Sequence, residues 1–164
     1  MFGNSRGDLV RVATGNDVER VRAIGLATWP STYAFAGDDF VRHGLATWWS
    51  TEAVARGIAD TVTLVVESAG DLVGMGNLDL RPDPAVIWKL YVRPEAQGTG
   101  VGGALMDALL EALPPDRDAV TIEYLDGNDR AAAFYAPKGF AVTGRSPDET
   151  AGFPDQIWAT WVRR

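Results

Sequence analysis

Along this chain the spacing of apolar residues switches between alternating or short continuous runs and a recurrence every three to four positions, and each switch marks an element. Leu9 to Ala13 reads as a short strand. Asn16-Asp17 offers an N-cap to Val18, Val21, Ile24, Gly25 and Ala27, predicting a helix that ends near Trp29-Pro30. From Asp38 to Asp60 the period is again helical, carried by Phe40, Leu45, Trp48, Trp49, Val54 and Ile58, and because Gly44 and Gly57 weaken its continuity two short helices are predicted. Thr61 to Ser68 and Leu72 to Leu80 are strand-like runs joined by the turn residues Ala69-Gly70-Asp71, a hairpin closed by Arg81-Pro82-Asp83-Pro84. Ala85 to Val92 is a strand, Arg93 to Gly98 a loop, and Gly100 to Leu113 a helix stopped by Pro114-Pro115. Ala119 to Leu125 is the next strand and Asn128 caps the helix after it. Phe140 to Gly144 and Gln156 to Val162 are the last strands, joined by a Pro/Gly/Asp-rich loop from Arg145 to Asp155. Hairpins at both ends with a βαβ crossover between them predict an α/β (α+β) chain, a mixed central sheet of six or seven strands flanked by about four helices.

The length, 164 residues, suits one domain spanning 1–164, and 46% apolar with 23% charged residues is the balance of a globular protein. A formal net charge of −7 argues against nucleic acid or an anionic membrane as partner and favours cationic or amine substrates. With no cysteine there are no disulfides, thiol nucleophiles or thiolate metal sites, and with His43 as the one histidine a Ser-His-Asp hydrolase or a histidine-rich zinc site is improbable; no metal-ligand spacing is present. No signal-like apolar block opens the chain and no run approaches a membrane span, so it reads as a soluble, unprocessed, cytoplasmic protein. Self-association into a homodimer stays open.

The chemistry concentrates at one junction. Gln97-Gly98-Thr99-Gly100-Val101-Gly102-Gly103 places four glycines between a strand and a helix, where unpaired N–H groups gather at the positive end of the helix dipole and can hold a phosphate or pyrophosphate. The alternative is that these glycines permit a tight turn or close helix packing. The run also satisfies the dinucleotide fingerprint G-x-G-x-x-G, with Glu123 about twenty residues on. Five residues, Arg93 to Gln97, separate it from its strand, however, and only 61 residues follow Gly103. No Gly-Lys-Ser/Thr follows, which excludes a Walker A loop.

The run Leu90-Tyr91-Val92-Arg93-Pro94, followed by Gln97, Gly98, Thr99, Gly100, Val101 and Gly102, resembles the Q/R-x-x-G-x-G/A acetyl-CoA motif of the GCN5-related N-acetyltransferases (GNAT). Asn128, Ala131, Phe134-Tyr135 and Gly139-Phe140 match the block that follows it in that family, at a fitting separation, with the element order agreeing over essentially the whole chain. Pro137 departs from the pattern, because it removes a backbone donor in the last turn of the Asn128 helix and should end or kink it early. The resemblance implies the acyl-CoA N-acyltransferase fold and acetyl-CoA as co-substrate, contacted by Leu90, Tyr91, Val92, Gln97, Gly98, Thr99, Gly100, Val101, Gly102, Gly103, Asn128 and Tyr135. It also implies that a backbone amide around Val92 meets the thioester oxygen.

Acetyl transfer needs a neutral amine, yet an alkylammonium has a pKa near about 10, so a base or proton relay must act at neutral pH. Glu123 at a strand end matches the glutamate that some family members place there as general base; Glu67, Asp79 and a water chain compete for the role, and Glu123 also reads as a solvated strand-end charge. Tyr135 matches the family tyrosine that serves the departing thiolate, its bland reading being a core aromatic beside Phe134. Trp29, Tyr33, Phe35, Trp48 and Trp49 fall where the family's substrate-facing helices lie, and are read first as core. His43, Arg163 and Arg164 read as surface or locally satisfied. The reading reached is direct acetyl transfer from acetyl-CoA to a primary amine, of a small molecule, a polyamine or a peptide or lysine. Its alternatives are a catalytically silent acyl-CoA-binding module and a dinucleotide-dependent enzyme.

Overall fold

The computed structural model describes residues 2–3 and 7–164. Its helices are α1 (Val18–Thr32), α2 (Asp38–Trp48), α3 (Thr51–Asp60), α4 (Val101–Glu111) and α5 (Asp129–Tyr135). The strands are β1 (Phe2–Gly3), β2 (Leu9–Val12), β3 (Val62–Ser68), β4 (Asp71–Asp79), β5 (Ala85–Val92), β6 (Ala119–Leu125), β7 (Ala141–Ser146) and β8 (Gln156–Val162). They form one sheet in the order β1-β2-β3-β4-β5-β6-β8-β7, antiparallel throughout except where β5 meets β6. A single parallel pair is not a doubly wound sheet, which removes the dinucleotide-binding alternative.

Seven strands of ordinary length and the two-residue β1 match the expected mixed sheet. Five helices flank it, in line with the expected about four, and residues 38–60 form two of them as predicted, the second started by Ser50, whose hydroxyl accepts the Ala53 N–H at 3.2 Å. The first helix does not stop at Trp29-Pro30 but runs on to Thr32. Pro30 is exposed and the carbonyl it fails to bond belongs to Leu26, itself an exposed residue, so the lost bond opens to water while buried Trp29 keeps the turn packed. Pro137 acts as expected, with α5 ending at Tyr135 and a short 3-10 turn taking over.

The sheet divides two cores. On one face α4 lays Leu105, Met106 and Leu109, all fully buried, against Leu64, Leu78, Ile87 and Ile122. On the other, α1, α2 and α3 enclose Ile24, Trp29, Phe40 and Trp49 over Val65 and Met75. Among the described residues no helix is long and apolar enough to cross a membrane.

Candidate active site

The parallel pair is short. Ala85, Val86 and Ile87 align with Val120, Thr121 and Ile122, and beyond that rung the strands diverge. Trp88 begins the divergence, since β5 carries it as an extra residue between Asn77↔Lys89 and Leu78↔Ile87. The gap is a cleft of about 440 Å³ walled by the far half of β5, the end of β6, the glycine loop, α5 and the last turn of α1.

On its loop side, Gly98 and Gly100 have φ of 75° and 90°, conformations that side chains rarely adopt, and the space over both is open. The first bond of the α4 ladder runs from the Ala104 N–H to the Gly100 carbonyl, so the amides of Val101, Gly102 and Gly103 precede it and lack intrahelical partners. Gly102 and Gly103 have ordinary backbone angles and line the cleft. This is an anion cradle of backbone donors, the feature a pyrophosphate requires.

Of the residues singled out in the sequence, Leu90, Tyr91, Val92, Gln97, Gly98, Gly100, Gly102, Gly103, Glu123, Asn128 and Tyr135 all line this cleft. Two of the expected contacts do not reach it by side chain. Val101 is turned into the core at 2% exposure, and the Thr99 hydroxyl is spent on the Ala96 carbonyl. Two lining side chains are committed locally: Gln97 Nε2 donates to the Val92 carbonyl at 3.0 Å, and Asn128 Oδ1 caps α5 by accepting from the Ala131 N–H at 3.2 Å.

Glu123 is half-buried, and loss of solvent together with the nearby Asp148 carboxylate raises its pKa above the ordinary glutamate value. Its competitors are elsewhere. Glu67 accepts from Arg11 at 2.8 Å, and that bond lowers its pKa. Asp79 is clasped by Arg81 at 2.9 Å and by the Trp88 indole at 3.1 Å, which hold its pKa near about 2. Neither lines the cleft, and a carboxylate so stabilised as the anion is a poor proton acceptor. Tyr135 packs against Tyr124 and Phe140, both 5.8 Å away between ring centres, and burial raises its pKa, so its hydroxyl stays protonated at neutral pH.

The aromatic group of α1 and α2 is mostly core, as read: Trp29 is 4% exposed and Trp49 0%. Phe35 and Trp48 are exposed instead. Tyr33 is core as well, at 8% exposure, and it also lines the cleft. It caps α1, and its hydroxyl lies 2.8 Å from the hydroxyl of Tyr91, another residue of the cleft wall. No spacing rule separates such a tyrosine from a packing one, because both occupy the apolar stripe of a helix. Lys89 also lines the cleft, while its ammonium donates to the Trp48 carbonyl and sits 4.3 Å over the Trp49 ring. His43 is exposed between Trp48 and Phe153, and Arg163 is satisfied by the Leu113 carbonyl, as expected. Among the described residues no His/Asp/Glu group could hold a metal ion.

A family model described as an acetyltransferase (GNAT) domain matches residues 59–142, from the end of α3 to the start of β7. A Mycobacterium tuberculosis protein named as a probable N-acetyltransferase is 26% identical over 144 residues, 84% of this chain and 82% of that one. In three dimensions the GCN5-related N-acetyltransferase of Rhodopseudomonas palustris aligns with a TM-score of 0.82 at 23% identity, covering 99% of this chain and 98% of its own. The PaiA N-acetyltransferase of Thermoplasma acidophilum, solved in complex with coenzyme A, aligns with a TM-score of 0.75 at 18% identity over 92% and 97%.

Proposed function

This chain belongs to the acetyltransferase (GNAT) family, and on that footing we propose that it transfers acetyl from acetyl-CoA directly to a primary amine, with Glu123 taking the amine proton and Tyr135 serving the departing sulfur. The observation that carries this reading is the juxtaposition of an open cradle of backbone amides with a raised carboxylate and a protonated phenol along one cleft. The pyrophosphate of acetyl-CoA rests on the amides between Gly98 and Gly103, and the pantetheine arm follows Val92, Tyr91 and Leu90 into the gap between β5 and β6.

In the reaction the amine nitrogen forms a bond to the thioester carbon and the carbon–sulfur bond breaks. The ammonium proton goes to Glu123, whose raised pKa brings it closer to that of its donor. The Tyr135 O–H donates to the sulfur as its negative charge grows, and the second proton, which the nitrogen loses as the amide forms, returns to the phenol, so that coenzyme A leaves as the thiol and Tyr135 ends protonated. No protein nucleophile is required, in keeping with a chain that has no cysteine. The setting is read as cytoplasmic, and the acceptor as a small-molecule or peptide amine.

The test is coenzyme A thiol release from acetyl-CoA across a panel of primary amines. Glu123→Gln should lower kcat by about 10- to 10⁴-fold at neutral pH with acetyl-CoA affinity unchanged. Tyr135→Phe should lower kcat while keeping fold and affinity, since ring and packing survive. Wild-type turnover in either variant overturns the role given to that residue.

A further inference from the structure

The Tyr33 and Tyr91 hydroxyls lie 2.8 Å apart and hydrogen-bond to each other. Two phenols carry two hydroxyl hydrogens, and their mutual bond uses one. The Trp29 indole N–H lies beside the Tyr91 hydroxyl without making a hydrogen bond, and an indole can only donate. Whichever phenol donates to the other, one O–H is left without an acceptor among the described residues, in a place where both phenols are largely shielded from water. An unmade hydrogen bond at such a site is costly, so the surplus donor wants an oxygen, and the space that both phenols line is the cleft.

We propose that the Tyr33–Tyr91 pair selects the acceptor, donating to a neutral carbonyl oxygen on the carbon next to the one bearing the amine, so that the enzyme prefers an α-amino amide over a plain alkylamine. This rests on the acetyl-transfer reading of the same cleft. Tyr33 ends α1, Tyr91 stands on the diverging half of β5, and Glu123 faces them from β6. An α-amino amide carries its nitrogen and its carbonyl oxygen two carbons apart, which lets one molecule meet Glu123 and the phenol pair together. A carboxylate in the carbonyl's place would bring a negative charge to a site that holds Glu123 with Asp148 nearby, while the Lys89 ammonium in the cleft wall is already engaged by the Trp48 carbonyl and the Trp49 ring. An alkylamine would leave the O–H unpaired, and a site built to bond an oxygen rejects an analogue that lacks it. Alaninamide and the amino terminus of a peptide share this chemistry.

The experiment measures kcat/KM with saturating acetyl-CoA for alaninamide, trialanine, free alanine and isopropylamine, in the wild type, Tyr33→Phe and the Tyr33→Phe/Tyr91→Phe double variant. The amines differ in their own pKa, so the quantity read is the change in the alaninamide-to-isopropylamine ratio between wild type and variant, which cancels that difference. Removing both phenol donors should cut the ratio by about ten- to a hundredfold, mostly through a rise in KM for alaninamide beyond any change that isopropylamine shares. Trialanine should follow alaninamide if peptide amino termini are taken, and fall below it if only small amides fit; both outcomes support the proposal. A ratio unchanged in the double variant, or free alanine preferred over alaninamide, overturns it. Acetyl-CoA affinity and thermal unfolding measured on the same variants separate a lost contact from a lost fold. If no amine is acetylated although acetyl-CoA binds, the acetyl-transfer reading itself fails; if all are acetylated without preference, only this inference does.

Discussion

Trp49 presses its ring onto Gly25, so closely that a Cβ at Gly25 would come within 2.1 Å of it. The arrangement is reciprocal, for a Cβ at Gly44 of α2 would meet the Trp29 ring of α1 at 1.9 Å. Helix α1 gives the Trp29 indole to Gly44 of α2 and receives on Gly25 the indole of Trp49, the residue that caps the end of α2, and this exchange sets how α1 lies under the site, with Tyr33 one turn beyond Trp29.

Gly25→Ala should therefore destabilise the protein although alanine is the better helix former by about 1 kcal/mol. Overpacking of about 1–3 kcal/mol or more outweighs that gain. At roughly 2–4 °C per kcal/mol, thermal unfolding should show a drop of several degrees. Gly57→Ala in α3 is the control: its Cβ would have only the Asn77 amide at 3.9 Å, and the melting temperature should hold or rise.

In the proposed reaction Glu123 takes the proton only when ionised, so its raised pKa should place the acid limb of the pH–rate profile above the ordinary glutamate value. Asp148 contributes to that shift and is fixed by bonds from Gln156 Nε2 at 2.7 Å and the Thr150 N–H at 2.8 Å. Asp148→Asn removes a negative charge without changing size, so Glu123 ionises more readily and the acid limb should move to lower pH. A profile that stays in place would show that burial alone sets the base.

Coenzyme affinity and folding can be separated at Gly102. Gly100 is unsuitable, because at φ 90° any side chain is strained whatever it does to the ligand. Gly102 is inside α4 with ordinary angles, and a Cβ there would make normal contact with Phe134 at 3.5 Å. Gly102→Val should hold or raise the melting temperature through better helix propensity, yet weaken acetyl-CoA binding at least about tenfold by covering the amides. Unchanged affinity in calorimetric titration would reduce the loop to a packing device.

The glycine cradle and the Asn128 cap were legible in the sequence, because each is a local pattern whose meaning depends on neighbours a few residues away, whereas Glu123 and Tyr135 were pointed to by their match to the family's blocks, and the structure places both on the cleft wall. The continuation of α1 through Pro30 was not legible, since it depends on which side of the helix meets water. Nor was the elimination of Glu67 and Asp79, which rests on Arg11 and Arg81 reaching them. The pairing of Tyr33 with Tyr91 joins positions 58 apart in the chain, and only the close seating of α1 on the sheet brings them together.

Lys89 offers a check on the packing beside the cleft. Burial lowers its pKa to about 8, whereas in the unfolded chain it stays protonated up to about 10.4. Between those values the unfolded state holds more protons, so stability should rise with pH from about 8 toward 10. Thermal unfolding of Lys89→Met over the same range should lack that rise, and a parallel trend in both proteins would rule the account out.

Because β5 and β6 part after three rungs, the backbone edges of Trp88–Val92 and Glu123–Leu125 that face the gap have no neighbouring strand. The other neighbouring strands from β2 to β8 pair over four to seven rungs, against three here, so what is missing in the gap is one strand's width of amide donors and acceptors. The pantetheine arm, itself a chain of amides, has the right chemistry to stand in for that strand. The substrate would then be consumed and replaced at each turnover while serving, for as long as it stays, as part of the fold. Slowed hydrogen exchange in those two edges should be its signature, appearing when acetyl-CoA binds and fading as coenzyme A departs.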